Sequence, residues 1–251
     1  MEYINNSKID YSKLPLTLPL MHSCDCFDGE SIIMDGKLEV SMCKVFKEEL
    51  LYFFYGKSSY PVSEKETLNR TDELYCPICF IINPEKVEMY KAYPFDTGAF
   101  TNSFYKQFFH RHMNINNFEI ESNLQKIKAY ISLVFSNNED YINGISHISK
   151  HEDRYLNSLF RMFNADGSYE FDERANTIEV ISNKSVNLHD AIEYIILPSS
   201  FMRIEDISKF IINNNIEYGT YSVRSFTAPS RYNEVVFQMA QKFIKDSKVG
   251  K

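Results

Sequence analysis

The sequence predicts an α+β fold. Short runs rich in β-branched and aromatic residues occur in the first third of the chain and return in the last third. Between them lies a stretch whose apolar residues recur at helical spacing. Runs of strands bracketing a helical block suggest one domain, residues 1–251, with a helical insertion at about 101–163.

The elements follow in order. Leu16 to His22 is an extended segment ending in a histidine. Asp28 to Gly36 reads as a short helix, stopped by a glycine at the usual C′ position. Leu50 to Tyr55 is a near-continuous apolar run, a central strand that Gly56 breaks. Cys79 to Asn83 is a second strand, closed by Pro84. Thr101 to His112, Ile120 to Val134 and Glu139 to Phe163 read as helices; Leu124, Ile127, Ile131 and Val134 fall on one face. Thr177 to Ile181 and Ala191 to Leu197 are strands, the latter ended by Pro198. Ser200 to Asn213 is a helix, Glu217 to Ser222 a strand, and Glu234 to Asp246 a C-terminal helix.

Composition narrows the function classes. Hydrophobic residues make up 44% and charged residues 24%, which excludes a disordered chain or a coiled-coil rod. Thirty-four acids against 27 Lys and Arg give a net charge of -7. That argues against a nonspecific polyphosphate binder, although a local basic groove would not show in the sum. No run is long and apolar enough to span a membrane, and the N-terminus has no secretion signal. The expected setting is the cytoplasm, with no membrane partner.

Five cysteines is an odd number, so structural disulfides are not expected. Cys24, Cys26, Cys76 and Cys79 together would suit tetrahedral zinc. The Cys-x-Cys half is short for a zinc knuckle, and Cys79 opens an apolar strand, so free buried thiols and no metal are expected. His110-Arg111-His112 reads as a solvated helix end. Asp96, in Pro94-Phe95-Asp96-Thr97-Gly98, reads as a turn residue that could sit by a cleft.

Three segments carry candidate chemistry. His22-Ser23, at the end of an apolar strand, can face a cleft and bond a ribose hydroxyl; the ordinary alternative is a core histidine bonded to a carbonyl. Tyr52 to Tyr60 offers aromatic rings, the cation Lys57 and the hydroxyls of Ser58 and Ser59, suited to a planar base and a phosphate; it also fits an aromatic core strand with a polar turn. Glu179 stands in an otherwise β-branched strand. On a cleft face it could stabilise positive charge on a sugar ring as a C–N glycosidic bond breaks; on the outer face it would be solvated.

In this order, His22-Ser23 followed by Ile32, Ile33 and Gly36, then Tyr55-Gly56-Lys57-Ser58-Ser59-Tyr60, then Arg174 and Glu179, the chain resembles the ADP-ribosyltransferase fold. The nearest likeness is to DarT-type enzymes, which use NAD to modify bases in DNA. The likeness covers the first 60 residues and roughly 170 to 200. Lys57 stands where that family has Arg, and a lysine cannot form a planar bidentate clamp. Glu193, in Glu193-Tyr194-Ile195-Ile196, is similar to the glutamate strand of poly-ADP-ribose polymerases and rivals Glu179.

The resemblance implies split β-sheets around a cleft that takes NAD as substrate. It implies that His22 and Ser23 hold ribose, that Tyr55 or Tyr60 packs on nicotinamide, that Lys57 meets the pyrophosphate, and that Glu179 is the catalytic carboxylate. The resemblance implies a nucleic-acid acceptor placed by the loop Asp166 to Tyr169. Such an enzyme would serve as a toxin or in antiviral defence, with an antitoxin or regulatory partner. The alternatives are a non-catalytic nucleotide-binding or interaction module on the same fold and a zinc-stabilised nucleic-acid module.

Overall fold

Caps and apolar strands set the element boundaries. The computed structural model describes residues 1–6, 10–59, 72–165, 173–225 and 227–247. Its strands are β1 (Leu20–Asp25), β2 (Lys37–Leu38), β3 (Ser41–Met42), β4 (Glu49–Tyr55), β5 (Pro77–Ile82), β6 (Lys91–Tyr93), β7 (Glu179–Ser182), β8 (Val186–Asn187), β9 (Ile192–Pro198) and β10 (Glu217–Tyr221). Its helices are α1 (Glu2–Asn5), α2 (Cys26–Asp35), α3 (Thr97–Thr101), α4 (Leu124–Val134), α5 (Asn138–Ile142), α6 (Arg154–Phe163), α7 (Leu188–Ala191), α8 (Glu205–Asn213) and α9 (Tyr232–Asp246). The mixed α+β class read from the sequence is the observed one.

The main sheet has the order β10-β9-β5-β1-β4-β7-β6, with β3 added beside the start of β4. All neighbours are antiparallel except β9 and β10. That parallel pair needs a crossover, and α8 supplies it. β2 and β8 form a separate two-stranded ribbon. β5 (PICFII) is buried along its whole length, as a central strand covered on both faces must be. One continuous core draws on residues from Met1 to Ile244.

The sheet forks. β1 pairs with β4 only at Leu20–Tyr55 and Met21–Phe54. Beyond those pairs β1 stays with β5 out to Asp25, while β4 stays with β7 through Leu51. The expected split sheets are thus one sheet that opens along a single seam. α2 starts immediately where β1 ends, its first turn capped by the Asp25 carboxylate on the Asp28 N–H at 2.9 Å. It stops at Gly36, whose φ of 62° suits a residue without Cβ.

The helical block differs from its sequence pattern. The expected helix over 101–112 is absent: α3 ends at Thr101 and the chain reverses through Ser103, which has φ 66°. The aromatic spacing that resembled a helix belongs to turns packed around Phe95 and Phe118. The expected helix over 139–163 is two, α5 and α6, separated at Gly144 (φ 70°). α4 begins at Leu124 rather than Ile120, because Asn123 caps it through the Lys126 N–H at 2.9 Å.

Gly56 ends β4 with φ 69°, and a Cβ there would lie 2.5 Å from Leu18 Cδ1. Leu18 is fully buried. Gly56→Ala therefore combines a left-handed backbone with a core clash. It is expected to lower unfolding free energy by about 2 kcal/mol or more in urea titration; an unchanged midpoint would show that the turn relaxes freely.

Candidate functional site

The fork leaves a cleft of about 530 Å³ walled by β1, the inner side of α2, the β2 end and β4. His22, Ser23, Leu51 and Tyr52 line it from the strands, Asp28, Ser31, Ile32 and Asp35 from the helix. His22 Nδ1 lies 2.9 Å from the Tyr52 carbonyl oxygen, across the seam. A carbonyl can only accept, so Nδ1 carries the proton and Nε2 the lone pair. Burial lowers the imidazole pKa, which keeps the ring neutral. The bond replaces a ladder hydrogen bond that the diverging strands no longer make. Asp25, Asp28, Asp35 and Glu39 face the single ammonium of Lys37 in these walls, and Lys37 is already paired to Glu39 at 2.7 Å. The cleft is therefore acidic. Burial, then the neighbouring Asp25, pushes the Asp28 carboxyl up.

Glu179 opens β7, next to Phe54 on one side and Tyr93 on the other. Residues directly opposed in an antiparallel pair share a face. Met21, Phe54 and Glu179 thus point one way, and His22 points the other, with Phe53 and Phe80. Two strand spacings, about 10 Å, separate the β1 and β7 backbones. Glu179 is 4% exposed. Its Oε2 accepts from the Thr97 hydroxyl at 2.6 Å and from the Thr97 N–H at 3.3 Å. Burial, reinforced by the nearby Asp96 carboxylate, holds its pKa well above the usual range and so favours the protonated carboxyl.

Asp96 organises this side. Its Oδ1 caps α3 through the Ala99 N–H at 2.8 Å, and its Oδ2 meets Arg174 Nη1 at 3.0 Å. Its own N–H donates to the Arg174 carbonyl at 3.1 Å. Tyr52 links the two sides. Its carbonyl holds His22 at the cleft, while its hydroxyl donates to the Cys43 sulfur at 2.7 Å. Burial, then the bond to Cys43, pushes the Tyr52 phenol up, and the carboxyl groups of Glu179 and Asp96 lie within its electrostatic reach.

The other expected site residues lie elsewhere. Tyr55 is a core residue on the His22 face, fully buried, and its hydroxyl accepts from the Leu18 N–H at 2.9 Å. Its ring is not free to stack on a ligand. Lys57 is buried under the Tyr141 ring at 4.7 Å and donates to Asn176 Oδ1 and the Asn176 carbonyl at 2.8 and 3.3 Å. It lines a different cleft, with Glu173, Asn176 and Glu234. Ser23 does line the fork cleft, but it stands opposite Cys79, on the strand face away from His22. Tyr60 and the loop Asp166 to Tyr169 lie outside the described residues. Glu193 is on β9, with β5 between it and β1, on the far side of His22 from Glu179. No family model, curated protein or solved structure matches the chain.

Among the described residues, no group of three or more His, Cys, Asp or Glu side chains could hold a metal ion. Cys76 and Cys79 are buried thiols whose pKa burial pushes up to about 12. Among the described residues, no helix is long and apolar enough to cross a membrane. The sequence places Asp96 in a turn, but not its partner Arg174, nor the bond of Thr97 to Glu179 or that of Tyr52 to Cys43. The Asp-Thr-Gly cap signal was available; the strand pairing that brings it to Glu179 was not.

Burial lowers the Lys57 ammonium from 10.5 to about 7, against a smaller opposing effect of Glu173. Between those values the unfolded chain holds a proton that the native chain releases, so this lysine's contribution to stability rises with pH and its burial penalty is complete below about 7. Lys57→Met removes that dependence and two hydrogen bonds to Asn176. The variant is expected to lose about 1 kcal/mol or more at pH 9, with the gap to wild type narrowing toward pH 7 in urea titrations. A gap independent of pH would contradict a buried, titrating amine.

Proposed function

We propose that this chain is an NAD-dependent ADP-ribosyltransferase with Glu179 as its catalytic carboxylate. The observation that carries the reading is a buried carboxyl on β7, held by Thr97 beside the Asp96–Arg174 pair, one strand from a fork that opens a nucleoside-sized cleft. The acidic cleft walls favour the hydroxyl-rich, cationic end of NAD: ribose hydroxyls donate to carboxylates, and the nicotinamide ring is positively charged. His22 presents Nε2 to such a hydroxyl.

In this reading the nicotinamide ribose reaches past Tyr52 to Glu179, which points to the sheet face opposite His22 and must be uncovered at its Thr97 contacts. A cation beside Glu179 favours its ionised form, which offsets the burial that favours the protonated one. The bond from ribose C1′ to the pyridinium nitrogen breaks, and its electron pair leaves with nicotinamide. The carboxylate stabilises the oxocarbenium-like ribose until the acceptor's lone pair attacks C1′ and the acceptor's proton passes to solvent or a base. Nucleic acid is the proposed acceptor, in a toxin or antiviral role with a regulatory partner, on the resemblance alone. Tyr55 and Lys57 have no part in this version, because their polar atoms are engaged in the core. The competing reading, a non-catalytic nucleotide-binding module, draws on one observation: Glu179 is enclosed, and both its Thr97 contacts are internal.

Glu179→Gln separates the two. Gln keeps the acceptor for Thr97 and loses the charge. NAD turnover is expected to fall about 10²–10³-fold with NAD affinity little changed, since the loss belongs to the transition state. Stability should move the opposite way. The native carboxyl keeps a proton that the unfolded chain releases above about 4.5, so wild-type stability falls as pH rises toward the raised native value. The Gln variant lacks that fall and is expected to melt higher at pH 8. Wild-type turnover by the Gln variant would end the catalytic assignment, and NAD binding by both proteins with turnover by neither would favour the binding module.

A further inference from the structure

Residues 97–118 contain no Asp or Glu, yet hold Lys106, Arg111, His110 and His112, in a chain of net charge -7. The structure folds this stretch around a cleft of about 600 Å³. Lys106, His110 and Arg111 stand in its walls, with Phe100, Phe109 and Asn114. The walls hold no carboxylate. Among the described residues, neither Lys106 nor Arg111 makes an ion pair, whereas Lys37, Lys91 and Lys209 do.

The aromatic wall is fixed in place. Phe100 stacks on Phe95 with centroids 5.5 Å apart, and Phe109 packs on Phe100 at 5.2 Å and Phe118 at 5.0 Å. Phe95 and Phe118 are fully buried, while Phe100 and Phe109 keep part of their surface open. Ser103, also at the cleft, holds a left-handed backbone with φ 66°, the bend that turns the basic segment back over the rings. Rigid ring faces beside two unneutralised cations, Lys106 and Arg111, and the imidazole of His110, whose Nδ1 accepts from the His112 N–H at 3.3 Å, match a planar base attached to phosphate.

We propose that this cleft binds a nucleoside phosphate, with the base against Phe100 and Phe109 and the phosphate held by Lys106, His110 and Arg111. The site is separate from the acidic fork cleft, shares no lining residue with it, and does not depend on the transfer reading. Phosphate and base also occur together in nucleic acid, and the cleft volume favours the free nucleotide.

The test uses the full chain, with ADP, inorganic phosphate and a single-stranded oligonucleotide as probes. ADP is expected to bind in calorimetric titration, and inorganic phosphate to compete. Lys106→Glu combined with Arg111→Glu, both exposed positions, should weaken ADP binding about tenfold or more without shifting the melting temperature. A charge-matched control, Lys209→Glu with Lys242→Glu, should leave it unchanged. Photolabelling with 8-azido-ADP should mark peptides from residues 97–115. Labelling confined to peptides holding His22 or Tyr52, equal loss in the control, or no ADP binding at all would overturn the proposal. So would oligonucleotide binding without ADP binding, which would assign the surface to nucleic acid. NAD turnover measured on the same variants keeps the outcomes distinct, because the proposed transfer can fail with this site intact and the reverse.

Discussion

The hydroxyl of Tyr141 holds the molecule together at one point. It donates to the Tyr55 carbonyl at 2.6 Å and accepts from the Ile178 N–H at 3.0 Å. Tyr55 N–H in turn donates to the Ile178 carbonyl at 2.9 Å. The end of β4 and the approach to β7 are thus joined by one ladder bond and one phenol from the helical block. All these atoms are buried, so each unmet bond would cost its full desolvation penalty. The next residue extends the junction: the Gly56 N–H donates to the Pro19 carbonyl, and its carbonyl accepts from Gln241 of α9. Four distant parts of the chain meet within two residues of β4.

The fork depends on that junction. β1 and β4 are pinned together at Leu20 and Tyr55 and free to part beyond Met21 and Phe54. Twist then carries the two halves of the sheet apart, while β1 and β4 each keep the outer edge paired, to β5 and β7 respectively. His22 bonds the one Tyr52 carbonyl that faces across the gap. A cleft made this way has a rigid floor and walls of different origin: a helix and strand on one side, a ribbon end on the other. The protein thus carries two separate clefts of opposite character, an acidic one at the fork and a basic one beside α3.

The polar group around Glu179 is a different construction. Asp96, Thr97 and Arg174 come from a helix start and the turn before β7, brought together as β6 pairs with β7. A carboxyl enclosed there is costly unless protonated or matched by a cation. The Asp96–Arg174 pair is internally neutral, so it does not discharge that cost. Enclosed acids of this kind are found where chemistry is done and also where a fold tolerates a buried proton, and the surrounding Tyr52 and Cys43 give this one neighbours able to donate and accept.

Local chemistry determined much of this protein from sequence. The strand runs at 50–55, 79–83 and 191–197, the α2 stop at Gly36 and the C-terminal helix all depend on residues adjacent in the chain, where apolar periodicity, glycine and proline act directly. Glu179 was legible as a carboxylate out of place in a β-branched strand, and His22 as a polar residue ending an apolar one. Tertiary structure decided what those signals meant. The phases of β1 and β7 through β4 turn His22 and Glu179 to opposite faces, a consequence of a register no single strand encodes. Tyr55 and Lys57 became buried structural groups because Leu18, Tyr141 and Asn176, remote in sequence, take up their polar atoms. The aromatic spacing at 100–109 mimicked a helix, since i, i+4 contacts look alike whether made by a helix or by turns wrapped on Phe95 and Phe118. Pairing register and the partners of buried polar atoms are long-range quantities, and only the folded chain fixes them.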